Sequence, residues 1–196
     1  MSNEVKIYLN FVKSFCPEIS AQELHTFSTF LAVKEFNKKD IIFPTGQVQK
    51  EIGFITNGLV RSFFIDKDGS ERTIRFHFEN AFVTHYVAFI TQQPSKYTYK
   101  CLEPTTIVTL SYQDTQVAYN TLPSIQKYGR LMAEEILKMQ QYRIESFLFL
   151  TAEERYLEFT KQNPDLFNRV SLSDLSSFLG IERQTITRIR QKLAKK

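Results

Sequence analysis

The sequence predicts an α+β fold: two short helices, an antiparallel β sandwich or barrel, one long helix, then a small all-helical module. Three observations carry this. Residues from about 33 to 111 are short runs rich in Phe, Ile, Val, Thr and Tyr. They are punctuated by Pro44-Thr-Gly46, Thr56-Asn-Gly58, Asp66-Lys-Asp-Gly69, Gln93-Pro94 and Glu103-Pro104, the turn spacing of packed antiparallel strands. After Pro123 the apolar residues step by three or four through a long stretch without another proline. Near the end, two short stripes of helical period flank Gly180.

In order, Val5, Tyr8, Phe11, Val12 and Phe15 recur at helical spacing. Ser20-Ala-Gln-Glu23 is a capping box opening a second helix with Leu24, Phe27 and Leu31 on one face. The strand-rich region follows. Ile125, Tyr128, Met132, Ile136 and Met139 then define a helix reaching about Leu150. About 25 residues at ~1.5 Å each give roughly 37 Å, longer than a small domain needs. Leu131, Leu137 and Phe147 fall outside the main stripe, which suits a helix touching both its own β domain and a partner helix; burial wholly against its own barrel is the alternative. Thr151-Ala-Glu-Glu154 is a further capping box, and Asn163-Pro164-Asp165 ends the helix it starts. The expected domains are residues 1–122, the long helix 123–150, and 151–196.

The terminal module is the most informative part. Leu172, Leu175 and Leu179 form one stripe and Ile186, Ile189 and Leu193 another. Gly180 lies where a tight connection needs a positive φ, Ser176 is small enough for close approach, and Ile181 would plug the turn. Ser171 with Asp174 caps the first helix, while Glu182 is a poorer cap for the second. With the second stripe turned inward, Arg183, Gln184, Thr187, Arg188 and Gln191 share the opposite face and are candidates for reading bases. Ser171, Thr185, Arg190 and Lys192, with Lys195 and Lys196, are candidates for phosphate. From Arg183 onward there are six basic residues and no acidic one, although the chain carries only +4. A solvated basic face on an amphipathic helix is the plain alternative.

Composition excludes other classes. At 196 residues, 42% hydrophobic and 14% aromatic, the chain can build real cores. No stretch approaches the ~20 apolar residues of a membrane span, and Met-Ser-Asn-Glu opens without a basic segment and apolar run, so a cytoplasmic protein with no membrane partner is expected. Cys16 and Cys101 are far apart and expected to be free, packed thiols.

The order of β-rich segment, long helix and helix-turn-helix resembles the Crp/Fnr superfamily of bacterial transcription regulators. The resemblance covers nearly the whole chain and is most specific in Leu179-Gly180-Ile-Glu-Arg183-Gln184-Thr185-Ile-Thr-Arg188. Thr151-Ala-Glu-Glu-Arg155-Tyr and Arg188-Ile-Arg190-Gln-Lys192-Leu look like a subgroup found in Bacteroidetes-type bacteria. The resemblance implies an N-terminal antiparallel β-roll of the cyclic-nucleotide-binding type, a double-stranded β-helix. It also implies a homodimer joined along residues 123–150, and double-stranded DNA as partner. The operator would be a pseudo-palindrome with half-sites roughly 34 Å apart. RNA polymerase is a further candidate partner. Two departures qualify it. The sequence ends three residues after Leu193, so the usual β wing is not expected and fewer backbone contacts should form. The family's cyclic-nucleotide members use Gly-Glu and Arg-Ser where this chain has Thr84-His85 and Ser95-Lys96. Loss of a bidentate Arg–phosphate contact is not repaired by lysine, so binding of cyclic AMP in the usual way is not expected. Thr84, His85, Ser95 and Lys96 could take another effector, of unknown identity. A pocket filled by Phe82, Tyr86, Phe89, Tyr97 and Tyr99 is the alternative.

Other chemistry finds little support. His77, Glu79 and His85 raise the question of a cupin-like metal site, but alternation in Thr73–Glu79 sets Ile74, Phe76 and Phe78 on one face and sends Thr73, Arg75, His77 and Glu79 toward water. His25 is expected at a surface. No phosphate loop, nucleophile elbow or Cys-His arrangement appears, so neither an enzyme nor a cofactor is expected. The alternative function is a ligand-binding or scaffold protein whose terminal helices bind protein rather than DNA.

Overall fold

The computed structural model describes residues 1–193, Leu193 by its backbone alone. The architecture is the expected α+β one. Helix α1 (Asn3–Phe15) begins where the Ser2 hydroxyl accepts from the Val5 amide, and it buries Val5, Tyr8, Leu9 and Val12. Helix α2 (Ala21–Ser28) carries the reciprocal Ser20–Glu23 capping box. It is shorter than the Leu24-Phe27-Leu31 stripe implies. Leu31 already pairs with Leu110 in a strand ladder, and that long-range pairing takes the residue from the helix.

Eight strands follow: β1 (Leu31–Phe36), β2 (Ile41–Phe43), β3 (Glu51–Asn57), β4 (Val60–Ile65), β5 (Glu71–His77), β6 (Phe82–Val83), β7 (Thr98–Cys101) and β8 (Thr105–Ser111). They form two four-stranded sheets, in the orders β1-β8-β3-β6 and β2-β7-β4-β5. The first is antiparallel throughout; its central strands β3 and β8 are buried on both faces, whereas β1 is exposed along most of its length. Ile55 and Ile107 join Phe43, Val60, Val83, Tyr99 and Cys101 inside the roll. Their strand neighbours Phe54 and Val108 face the helices, against Tyr8, Val12, Phe27, Ile125 and Tyr128. Successive side chains on a strand point to opposite faces, so β3 and β8 each serve two cores. Cys16 and Cys101 are free and buried, and burial pushes the Cys101 thiol up to about 11.

Two helices were not legible as such. Helix α3 (Tyr86–Thr91) has six residues, too few to show a period, and α4 (Tyr112–Thr121) interrupts what reads as strand and loop. The local signal for α4 was present: the Ser111 hydroxyl accepts from the Asp114 amide. Helix α5 (Pro123–Phe149) has Pro at its first position, where the missing N–H costs nothing. At Gly129 a Cβ would lie 2.3 Å from the Tyr119 hydroxyl, so a side chain there would need that ring to shift. Helices α6 (Ala152–Gln162), α7 (Leu166–Arg169), α8 (Leu172–Leu179) and α9 (Arg183–Leu193) complete the described chain. No described helix is long and apolar enough to cross a membrane.

The chain divides into two compact units. One holds Met1–Ser62 and Phe76–Glu135, and the other holds Phe63–Arg75 with the chain from Ile136 onward. The long helix contributes to both. In the first unit it buries Ile125, Tyr128 and Met132.

The orientation expected for His77 is corrected: the ring is 5% exposed and Thr73 is also buried. Alternation fixes which residues share a face, not whether that face is covered, and the end of β5 is covered on both sides. His77 Nδ1 lies 2.7 Å from the Phe82 carbonyl oxygen and Nε2 lies 3.0 Å from the Ser62 hydroxyl, with the Tyr99 ring 5.5 Å away. Glu79 accepts from the Gly58 amide at 2.9 Å. Among the described residues no three metal-binding side chains converge.

Gly58 gives a test of this architecture. At φ +111°, a Cβ would lie 2.6 Å from the Thr105 Cα and 2.7 Å from the Pro104 carbonyl oxygen, whereas at Gly69 (φ +81°) nothing is within 4 Å. Chemical denaturation should show Gly58→Ala costing about 3 kcal/mol or more, through both backbone strain and collision. Gly69→Ala should cost about 1 kcal/mol, from backbone strain alone.

Candidate nucleic-acid interface

Helix α8 starts at Ser171, whose hydroxyl accepts from the Asp174 amide at 3.0 Å and donates to the Asp174 carboxylate at 2.7 Å. It ends at Gly180, in the left-handed conformation (φ 63°, ψ 40°), whose amide bonds the Ser176 carbonyl. The Ile181 amide bonds the same carbonyl at 3.0 Å. Three residues later the chain is helical again. This reversal lays Ile186 and Ile189 of α9 inward, both buried, while Leu175, Ser176, Leu179 and Ile181 are buried beside them. Helix α6 packs against both α8 and α9, through a face that buries Tyr156 and Phe159. The small Ser176 and the buried Ile181 thus take the places expected of them.

Burying one side of α9 leaves the other side outward. Arg183, Gln184, Thr187, Arg188 and Gln191 are all exposed. The Thr187 hydroxyl donates back to the Arg183 carbonyl at 3.1 Å, and Arg188 donates to the half-buried Thr185 hydroxyl at 3.2 Å. Among the described residues no carboxylate holds Arg183 or Arg188.

The candidate phosphate contacts are differently placed. Arg190 Nε donates to the Tyr156 hydroxyl at 3.1 Å, and its guanidinium lies over the Phe167 ring at 4.5 Å. Lys192 Nζ lies 2.9 Å from both carboxylate oxygens of Glu153. The side chain of Leu193, and Lys195 and Lys196, lie outside the described residues.

A second set of side chains surrounds α3, in the other unit. His85 Nδ1 is 3.2 Å from the Ser95 hydroxyl, and the ring leans on that of Tyr97, with centroids 4.4 Å apart and planes tilted by 40°. Ser95 is buried. Its hydroxyl donates to the Tyr97 carbonyl and accepts from the Tyr97 amide, each at 3.1 Å. Gln49, which sequence reasoning missed, is 2% exposed. Its Oε1 accepts from the His85 amide at 2.7 Å and the Thr84 hydroxyl at 3.3 Å. The backbone donor fixes that amide orientation, leaving Gln49 Nε2 without a partner among the described residues. Burial, with the charge of Lys96 adding to it, holds the His85 imidazole below its ordinary value. Lys96 itself is exposed. The aromatic residues do not all fill this place: Phe89 packs on Tyr112, Tyr99 on Phe43, and Phe82 on Tyr8 and Phe54.

With this geometry in place, the comparisons define the fold. A family model described as "Cyclic nucleotide-binding domain" matches residues 33–121. A search of curated proteins finds no match. Among solved structures, the chain is similar to the Thermus thermophilus catabolite activator protein, with 16% identity, a TM-score of 0.59, and coverage of 94% of this chain and 87% of that one. It is similar to the c-di-GMP-responsive global regulator CLP of Xanthomonas campestris, with 16% identity, a TM-score of 0.67, and coverage of 90% and 92%. FixK2 from Bradyrhizobium japonicum gives 17% identity, a TM-score of 0.66, and coverage of 84% and 85%. The fold is that of these Crp/Fnr-type regulators: a cyclic-nucleotide-binding-type β-roll, a long helix and C-terminal helices.

The α8–α9 packing is testable through Ile186, which is fully buried. Ile186→Ala should destabilise the unit containing α6–α9 by roughly 2–5 kcal/mol, read as a lowered denaturation midpoint for that unit.

Proposed function

We propose that this chain is a sequence-specific DNA-binding transcription regulator of the Crp/Fnr type. It acts in the cytoplasm as a homodimer on a pseudo-palindromic operator, with RNA polymerase as a further partner. Residues 1–122 are the sensor domain, 123–150 the dimerisation helix and 151–196 the helix-turn-helix domain. Within the family, Thr151–Tyr156 and Arg188–Leu193 favour the Bacteroidetes-type subgroup.

The observation that carries this reading is the outward face of α9. Arg183, Gln184, Thr187 and Arg188 are exposed in the order that one helix offers to a major groove, and the apolar face is already used. Arg donates bidentately to guanine and Gln pairs with adenine, each such pair discriminating by about 1–3 kcal/mol. Arg190, Lys192, Thr185 and Ser171 flank that face as phosphate contacts. Dimerisation is supported by the second half of α5, where Leu137, Ile144, Leu148 and Phe149 are exposed, Leu148 at 70% and Phe149 at 75%. Apolar side chains at such spacing gain from a partner helix.

The sensor does not respond to cyclic AMP on this reading. The Thr84, His85, Ser95 and Lys96 positions hold neither the carboxylate for a ribose nor the guanidinium for a phosphate. A cyclic phosphate would meet an imidazole that leans on Tyr97 and whose charged form burial disfavours. Titration calorimetry should give no stoichiometric heat with cyclic AMP; tight one-to-one binding would overturn this part.

For DNA, a gel shift on fragments selected from a random pool is the direct assay. Arg188→Ala should cost roughly 1–3 kcal/mol and relax preference at one base position. Equal losses on selected and random duplex would remove Arg188 from the reading face. Lys192→Ala should weaken all sequences alike and reduce the salt slope by about one. Glu153→Gln, which frees Lys192, should strengthen all sequences by about twofold to fivefold, since an exposed pair holds its partner by only about 0–1 kcal/mol. If no duplex is selected and a protein is captured by α9, the chain is a scaffold whose terminal helices bind protein.

A further inference from the structure

The end of α8 is held by two arginines from outside the helix pair. Arg143, on the second half of α5, donates to the Phe178 carbonyl, and its guanidinium lies 3.9 Å from the centre of the Phe178 ring and 4.3 Å from that of Phe147. Arg155, on α6, donates through Nε to the Leu179 carbonyl at 3.0 Å and through a terminal nitrogen to the Leu150 carbonyl at 2.6 Å. Its guanidinium lies 5.0 Å from the same Phe147 ring. The last carbonyls of a helix lack partners within it and carry its negative end, so cationic donors are favoured there. The arrangement is unusual in bringing two like charges to one aromatic ring. Burial, and then the neighbouring Arg155, pull the Arg143 guanidinium down to about 10. The ring faces and carbonyls offset that repulsion. Phe147 also presses on the turn, since a Cβ at Gly180 would lie 2.9 Å from its ring edge.

We propose that Arg143 and Arg155 are positioning residues for α9. By taking the Phe178 and Leu179 carbonyls while sharing the Phe147 ring, they fix the direction in which the chain leaves Gly180, and so the angle of the base-reading face. The role in recognition rests on the DNA-binding reading above. Both side chains are half-buried and held against backbone carbonyls rather than on the outward face of α9, so their assigned role is to position that face and not to read it. Lysine cannot substitute, because it has no flat face to stack and no fork to reach two carbonyls.

The test uses the full chain with Arg143→Gln, Arg143→Lys, Arg155→Gln and Phe147→Leu, and Phe147→Tyr as a variant that keeps the ring face. Affinity is measured for a selected duplex and for random duplex over a range of salt, and amide hydrogen exchange is measured on the protein alone. Loss of positioning should lower affinity for the selected duplex about tenfold and for random duplex less than about twofold, with the salt slope unchanged. Amides of Gly180 and Ile181, both bonded to the Ser176 carbonyl, should exchange faster while those of α6 do not, and Phe147→Tyr should behave as the parent. A matching loss on both duplexes with a reduced salt slope would make the arginines phosphate contacts and overturn the proposal. So would unchanged discrimination with unchanged exchange at the turn, or exchange accelerated evenly across α6, α8 and α9. Should Arg143→Gln not fold, Arg143→Lys and Phe147→Leu carry the same readouts. Should the parent protein select no duplex, the DNA reading fails by itself, and exchange at Gly180 and Ile181 still decides whether the arginines hold the turn.

Discussion

For a helix to stop and another to start within three residues, one residue must adopt a left-handed backbone and must carry no side chain where its neighbours crowd in. Gly180 meets both demands, with φ at 63° and the Phe147 ring edge 2.9 Å from where a Cβ would stand. Alanine there would face a strained conformation of about 1–2 kcal/mol as well as the collision. Much follows from this one residue. The reversal brings Ile186 and Ile189 into the helical core, and a helix that spends its apolar side in this way has only its polar side left. On α9 that side carries Arg183, Gln184, Thr187 and Arg188.

The long helix obeys a different constraint, because its surroundings change along its length. Ile125, Tyr128 and Met132 are buried against α1 and the sheet, whereas Leu137, Ile144, Leu148 and Phe149 are exposed. Covering three such aliphatic side chains on each of two helices is worth roughly 9–18 kcal/mol at most, against about 4–15 kcal/mol for the lost freedom of association. The balance is close enough for a second copy to be retained, and close enough for dimerisation to depend on what else the two copies share. The proposed homodimer therefore needs the full seam rather than any single residue of it.

Local rules were legible, and long-range ones were not. The capping boxes at Ser20 and Thr151 and the cap at Ser171 follow from residues three apart, and each is realised. The strand-rich region could be delimited because turn residues act locally, and Gly180, Ser176 and Ile181 could be placed because the helical pair is itself a local unit. His77 could not, since its burial comes from Ser62, Phe82 and Tyr99, contributed by three other strands. Gln49 stayed hidden for the same reason, being thirty-six residues from the His85 amide it accepts from. Nothing in the local pattern marks Arg143, and Arg155 stands out only as part of the segment Thr151–Tyr156. Only the fold reveals that the nearest acceptors are backbone carbonyls at the end of another helix.

The two basic residues nearest the end of α9 illustrate how a contact within the protein can help or oppose a contact outside it. Arg190 uses Nε for the Tyr156 hydroxyl and lies over the Phe167 ring, which leaves its terminal nitrogens outside that bond. A guanidinium has five N–H donors, so this engagement orders the side chain without consuming its capacity for phosphate. The rotamer entropy that a free arginine would lose on binding has then been given up already, in folding. Lys192 is the opposite case. Both of its short contacts are to the Glu153 carboxylate, a direct competitor for the same ammonium. An exposed pair of this kind is weak and weakens further with salt, but phosphate attraction also falls with salt. On the proposed reading, Arg190 is therefore prepared for its contact, whereas Lys192 must exchange one anion for another and adds less than its charge suggests.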